Sequence, residues 1–119
     1  MPARDDAIGP VAMSPDEKWI AAGAQDDIVL MWKREGEPIR LAARHEAEVR
    51  MLVFSPNGHR LASASEDGLV LVTDTRTGEY VGHVALVADT ASFLWFSPDS
   101  GTLLIDTERH FEIAVALAR

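Results

Sequence analysis

"FSPNGHRLASASEDGLVLVTD", Phe54 to Asp74, spells out a strand, a tight turn and a second strand. "RLASAS" (Arg60–Ser65) and "LVLV" (Leu69–Val72) flank "EDG" (Glu66–Gly68). A glycine closing such a turn supplies a positive φ at no steric cost, which makes "EDGL" a strong hairpin signal. "LVLV" is apolar on both alternations. A strand with one wet face would alternate, so this one must be covered on both sides.

The same phrase occurs twice more, as "MSPDEKWIAAGAQDDIVLMWK" (Met13–Lys33) and "FSPDSGTLLIDTERHFEIAVA" (Phe96–Ala116). Ser14, Ser55 and Ser97, each before a proline, stand 41 and 42 residues apart. The extra residue is expected near Ser100–Gly101. A period of this length points to a solenoid or a propeller. The units are short apolar runs broken by Gly, Pro, Asp and Asn, with no sustained helical spacing, so they are strands and hairpins. Strands are expected near 8–13, 18–24, 27–33 and 37–43, near 48–54, 60–65, 68–74 and 79–86, and near 90–96, 102–107 and 110–117.

Composition narrows the function. Hydrophobic content of 47% is that of a globular chain. There is no apolar run long enough for a membrane span. "MPARDDAIGP" has no secretory core. A net charge of −8 repels nucleic acid and anionic lipid alike. With no cysteine, disulfides and thiolate metal sites are excluded. The cytoplasm is the expected location.

Taken together, "FSPNG", "FSPD", "LASASEDG" and "DDIVLMW", recurring in register, resemble the WD-repeat β-propeller family over about residues 8–117. The resemblance implies an all-β fold of three four-stranded antiparallel blades, the last incomplete. It divides the chain into an extension at 1–7, blades at 8–44 and 45–88, and a partial blade at 89–119. It also implies a hydrogen-bonded network of His, Ser, Asp and Trp in each blade, which would satisfy buried polar groups. The second blade keeps His45, Ser63 and Asp67 but has Thr73 in place of Trp. The first keeps Asp26 and Trp32 but has Arg4 and Ala22 in place of His and Ser. The third has Val87, Ile105, Arg109 and Val115, and none of the network. The third blade is therefore expected to be the least rigid.

Propellers use about four to eight blades, so three make an open arc. Each buried Val, Leu, Ile or Phe contributes about 1.5–3 kcal/mol. A handful forgone on each outer face rivals a typical net stability of about 5–15 kcal/mol. The arc is therefore expected to close through a homo-oligomer, with an even number of chains favoured, or through a partner carrying the remaining blades. An excerpt of a longer regulatory protein is the other reading of the same arc.

Catalytic chemistry is absent from the pattern. The serines recur before proline, as structural residues do, and no nucleophile elbow or phosphate loop occurs. The acidic pairs are adjacent on turns and point apart, unlike an acid/base pair. His45, His59, His83 and His110 show no metal-ligand spacing. No cofactor and no metal are expected. A protein-interaction scaffold is the leading reading. The alternative is a ligand-binding or enzymatic propeller with a site in its central channel. The resemblance places partner contacts on the loops that hold Gln25, Glu48, Glu66, Thr90 and Glu108, and their acidity favours a basic protein or peptide.

Overall fold

The computed structural model of the chain describes residues 10–24, 28–33, 40–109 and 111–117. Eleven strands run in chain order: β1 (Val11–Met13), β2 (Trp19–Ala24), β3 (Ile28–Lys33), β4 (Arg40–Arg44), β5 (Val49–Phe54), β6 (Arg60–Ser65), β7 (Leu69–Asp74), β8 (Tyr80–Ala85), β9 (Ala91–Phe96), β10 (Thr102–Thr107) and β11 (Glu112–Ala116). They form three antiparallel meanders, β1–β4, β5–β8 and β9–β11. Among the described residues none of these sheets closes on itself.

The sheets stack face to face. Ala21, Val29 and Met31 of the first pack against Val49, Phe54 and Leu61 of the second. On its other side the second sheet packs Ala62, Ala64, Val70 and Val72 against Leu94, Phe96, Leu103 and Ile105 of the third. The middle sheet is therefore covered twice, and β6 is buried on both alternations from Leu61 to Ser65. This is why "LASAS" carries small residues: two neighbouring sheets approach the same strand.

Each unit is anchored by the same Ser-Pro turn. The Ser14, Ser55 and Ser97 hydroxyls donate to side-chain oxygens of Asp16, Asn57 and Asp99 at 2.6, 2.7 and 2.6 Å. Each Oγ accepts the N–H that begins the next strand, from Trp19, Arg60 and Thr102, at 3.0 Å in every case. The fourth residue of each turn has positive φ: Glu17 at 63°, Gly58 at 76° and Ser100 at 63°. Asx and Ser side chains that mimic a backbone turn explain the recurrence without any catalytic role.

The expected insertion near Ser100–Gly101 lies elsewhere. The span from Ser97 to Thr102 equals those from Ser14 to Trp19 and from Ser55 to Arg60. The additional residue sits in the β8–β9 connection (86–90), which is one longer than the β4–β5 connection (45–48). Leu86, rather than Val87, consequently takes the place of His45. Both follow directly on the fourth strand; Leu86 is buried in the core, whereas Val87 is 89% exposed.

Candidate partner interface

One end of the second and third sheets gathers the turns that the sequence nominates. The β6–β7 turn holds Glu66, Asp67 and Gly68, and the β8–β9 connection holds Asp89 and Thr90. Backbone hydrogen bonds lace them together. Glu66 N–H donates to Glu48 O at 3.0 Å, Leu86 N–H to Gly68 O at 2.9 Å, and Glu108 N–H to Thr90 O at 2.9 Å. Gly68 has φ +85°, and a Cβ there would lie 2.5 Å from Asp89 O and 2.6 Å from Leu86 O. Only glycine allows the two loops to come this close.

Between them lies an open groove of about 500 Å³, bordered by Arg50, Ser65, Glu66, Thr90, Ser92 and Glu108. A second depression shares Glu66, Thr90 and Glu108 and adds Asp67, Asp89 and Arg109. Three of the nominated positions, Glu66, Thr90 and Glu108, thus meet at one groove. Glu48 joins through Arg50, whose guanidinium donates to Glu48 at 3.1 Å and to Glu66 at 2.9 Å. All three side chains are more than half exposed, so this triad steers more than it stabilises. Gln25 lies outside the described residues.

Beneath the rim, His45 Nε2 lies 2.8 Å from Ser63 Oγ, and both residues are buried. Asp67 is exposed at the turn, where its carboxylate accepts from the Ser65 hydroxyl and from Leu69 N–H. Its direct bonds therefore run to Ser65 and Leu69, and His45 reaches it through charge. Burial opposes its ionisation, but those two bonds and the His45 charge prevail and hold its pKa below the usual carboxylate value. Thr73, in place of Trp, is buried. In the first sheet Trp32 is buried, and its indole N–H has no partner among the described residues. Ala22, at the position of Ser63, has no hydroxyl to accept it. Asp26 lies outside the described residues.

Sequence reasoning missed Asp89. Its carboxylate accepts from Thr90 N–H at 2.8 Å and from Arg109 N–H at 3.2 Å. Partial burial works against its charge, while bonds from Thr107, Thr90 and Arg109 outweigh it and lower the pKa. Thr107 is the counterpart of Ser65, so in the third sheet the turn carboxylate comes from the preceding connection. The longer loop was the available signal. The histidines stay apart: His59 is exposed, and His83, also exposed, meets the Tyr80 hydroxyl. No set of His, Asp or Glu suited to a metal ion gathers among the described residues.

The model of the anaphase-promoting complex subunit 4 WD40 domain matches residues 11–99. The chain belongs to the WD-repeat β-propeller family. Among WD-repeat relatives, nuclear distribution protein nudF 2 of Talaromyces marneffei is 37% identical over 65 residues, 55% of this chain and 14% of that protein. WD repeat-containing protein 1 of Gallus gallus is 35% identical over 92 residues, 71% of this chain and 15% of that one. This WD-repeat chain thus spans about a seventh of the length of each. The β-propeller domain of Myceliophteria thermophila Cps50 (Swd1) superposes with a TM-score of 0.84 at 19% identity, over 98% of this chain and 37% of that one. At that identity the likeness concerns the fold. Among the described residues no helix is long and apolar enough to cross a membrane.

Proposed function

We propose that this chain is a non-enzymatic protein–protein interaction scaffold that completes a propeller ring with sheets from more than one chain. Its units span residues 8–44, 45–88 and 89–119. WD-repeat propellers are protein-binding scaffolds in general, and fold alone does not choose the partner. The observation that carries the reading is the rim groove, where loops of two sheets bring Glu66, Thr90 and Glu108 together. Among the described residues there, Glu48, Glu66, Asp67, Asp89 and Glu108 oppose Arg50 and Arg109, a net charge of −3 from five carboxylates and two guanidiniums. The partner is therefore a Lys- or Arg-bearing segment, attracted across the solvent and docked between the turns. The bulk acidity disfavours nucleic acid and anionic membranes, the setting is cytoplasmic, and no cofactor is invoked.

Anisotropy titration of a labelled Lys/Arg-rich peptide tests the groove. Reversing Glu66 and Glu108 to Lys weakens binding about tenfold or more and flattens its salt dependence. Unchanged affinity with both reversals removes the groove as the contact.

A further inference from the structure

We propose that a pocket at the opposite end of the second and third sheets from the rim groove takes a singly charged carboxylate, the glutamate side chain of a partner's peptide segment. The β5–β6, β7–β8 and β9–β10 turns border this pocket of about 300 Å³. It shares no residue with the rim groove.

The backbone brings three nitrogen-bearing side chains to one wall. Arg60 stands directly across β6–β7 from Asp74, which puts the two on one face. Thr75 N–H donates to His59 O at 3.0 Å, tying the turn that carries Arg76 to the turn that carries His59. Arg76 clasps Asp74 along one edge of its guanidinium, Nε to Oδ1 at 3.3 Å and Nη2 to Oδ2 at 3.1 Å. A guanidinium holds its five N–H donors in a planar fork. The other edge, Nη1 with the second Nη2 hydrogen, has no acceptor among the described residues. Such an edge matches the two oxygens of a carboxylate. The Arg76 hydrogen bond first, with the Arg60 charge adding to it, holds the Asp74 carboxyl below its ordinary range against partial burial. One carboxylate between two guanidiniums leaves a positive charge over.

The facing wall supplies a further donor. Ser100 is 8% exposed and borders the same pocket. Its Oγ accepts Asn57 N–H at 3.0 Å, and its own hydroxyl hydrogen has no acceptor among the described residues. Buried donors are paired as a rule. Ser100 also stands at φ 63°, where the second sheet has Gly58. A glycine takes that conformation freely and a serine does not. What the serine adds there is an oxygen for Asn57 and one unspent donor on the wall of a pocket that already holds an open guanidinium edge.

Charge sets the kind of oxygen ligand. Asp99 borders the pocket too, its carboxylate held by the Ser97 hydroxyl at 2.6 Å and by Gly101 N–H at 2.9 Å. Arg60 and Arg76 against Asp74 and Asp99 sum to zero, two guanidiniums and two carboxylates. A dianion such as phosphate meets Asp99 with no surplus cation to offset the repulsion. A carboxylate brings one charge and finds two kinds of donor, the Arg76 edge and the Ser100 hydroxyl, so the pocket discriminates between them. Leu117 adds an apolar border. It suits the methylenes of a glutamate.

The test is an amide NMR titration of the 119-residue chain with butyrate, with a capped Gly-Glu-Gly peptide and with inorganic phosphate. Both carboxylates move the backbone signals of Asn57 and Gly101 and the Arg76 Nε–H signal, and the peptide binds more tightly than butyrate. Phosphate binds about fivefold more weakly than the peptide, or less. Arg76→Gln weakens the peptide about tenfold, and Arg76→Lys, which keeps the charge without the fork, about threefold or more. Ser100→Gly weakens it about threefold or more, and the chain stays folded because glycine takes the Ser100 φ freely. Circular dichroism checks the fold of each variant. Binding that ignores both Arg76→Gln and Ser100→Gly overturns the pocket, as do signals that do not move by about 20 mM of either carboxylate. Phosphate bound as tightly as the peptide overturns the choice of a carboxylate. A peptide that binds no tighter than butyrate overturns the peptide segment as its source.

Discussion

Substituting Gly68 with alanine probes the joint between the second and third sheets. Two costs arise together. The first is conformational: φ is +85°, and a residue with a Cβ in the left-handed region costs about 1–2 kcal/mol. The second is steric. The new methyl would sit 2.5 Å from Asp89 O and 2.6 Å from Leu86 O, both of them backbone. Neither carbonyl can rotate away as a side chain would, so the β8–β9 connection must shift. That shift strains the Leu86 N–H to Gly68 O bond of 2.9 Å, worth about 0.5–1.5 kcal/mol. The sum is a loss of about 1.5–3.5 kcal/mol in urea unfolding. Gly78 is the internal control. It has φ +78° but nothing within 4 Å of an added Cβ, so Gly78→Ala pays only the conformational cost of about 1–2 kcal/mol. Equal losses at the two glycines would refute the close approach of the turns and with it the groove they border.

Removing the hydroxyl with Ser63→Ala leaves His45 without its 2.8 Å bond in a buried site, for a loss of about 1–3 kcal/mol by chemical denaturation. No loss there would mean that the pair contributes nothing to folding. Asp16, Asp67, Asp74 and Asp89 all have pKa values held below their ordinary value of 3.8. A depressed carboxylate contributes stability that is present above the unfolded pKa and lost as pH falls through the folded one. Melting temperature is therefore flat from neutrality to about pH 4 and declines below it, and Asp67→Asn reduces the slope of that decline.

The fold was legible because its signals are local and repeated three times. Ser-Pro followed by Asp or Asn fixes each turn through bonds reaching no more than five residues. A double-sided apolar run such as Leu69–Val72 announces a covered strand before any neighbour is known. The candidate interface was legible only in part. Glu66 and Glu108 were readable because their turns recur at one end of each hairpin. Asp89 was not, since its importance comes from Arg109 and Thr107, 18–20 residues further on. The place of the additional residue was hidden for a related reason: aligning Ser-Pro pairs fixes the period but not where within it the chain lengthens.

What repeats and what does not divides the chain's tasks. Residues that make a turn or fill a junction recur: the serines in all three units, and Ala21 with Ala62 and Val29 with Val70 in the first two. The surfaces break the repeat. Arg50 bridges two acids on the rim of the second sheet. Asp89 replaces a turn carboxylate in the third, and the Asp106–Glu112 pair stands where the second sheet has Ala64 and Val70. Loss of an apolar pair from a face built for packing sacrifices about 0.8 kcal/mol for every methylene no longer buried. A position where that cost is accepted is one where stability alone does not explain the residue. The departures cluster on the rim and on the outward face of the last sheet. At both places the residue is not dictated by packing between the described sheets.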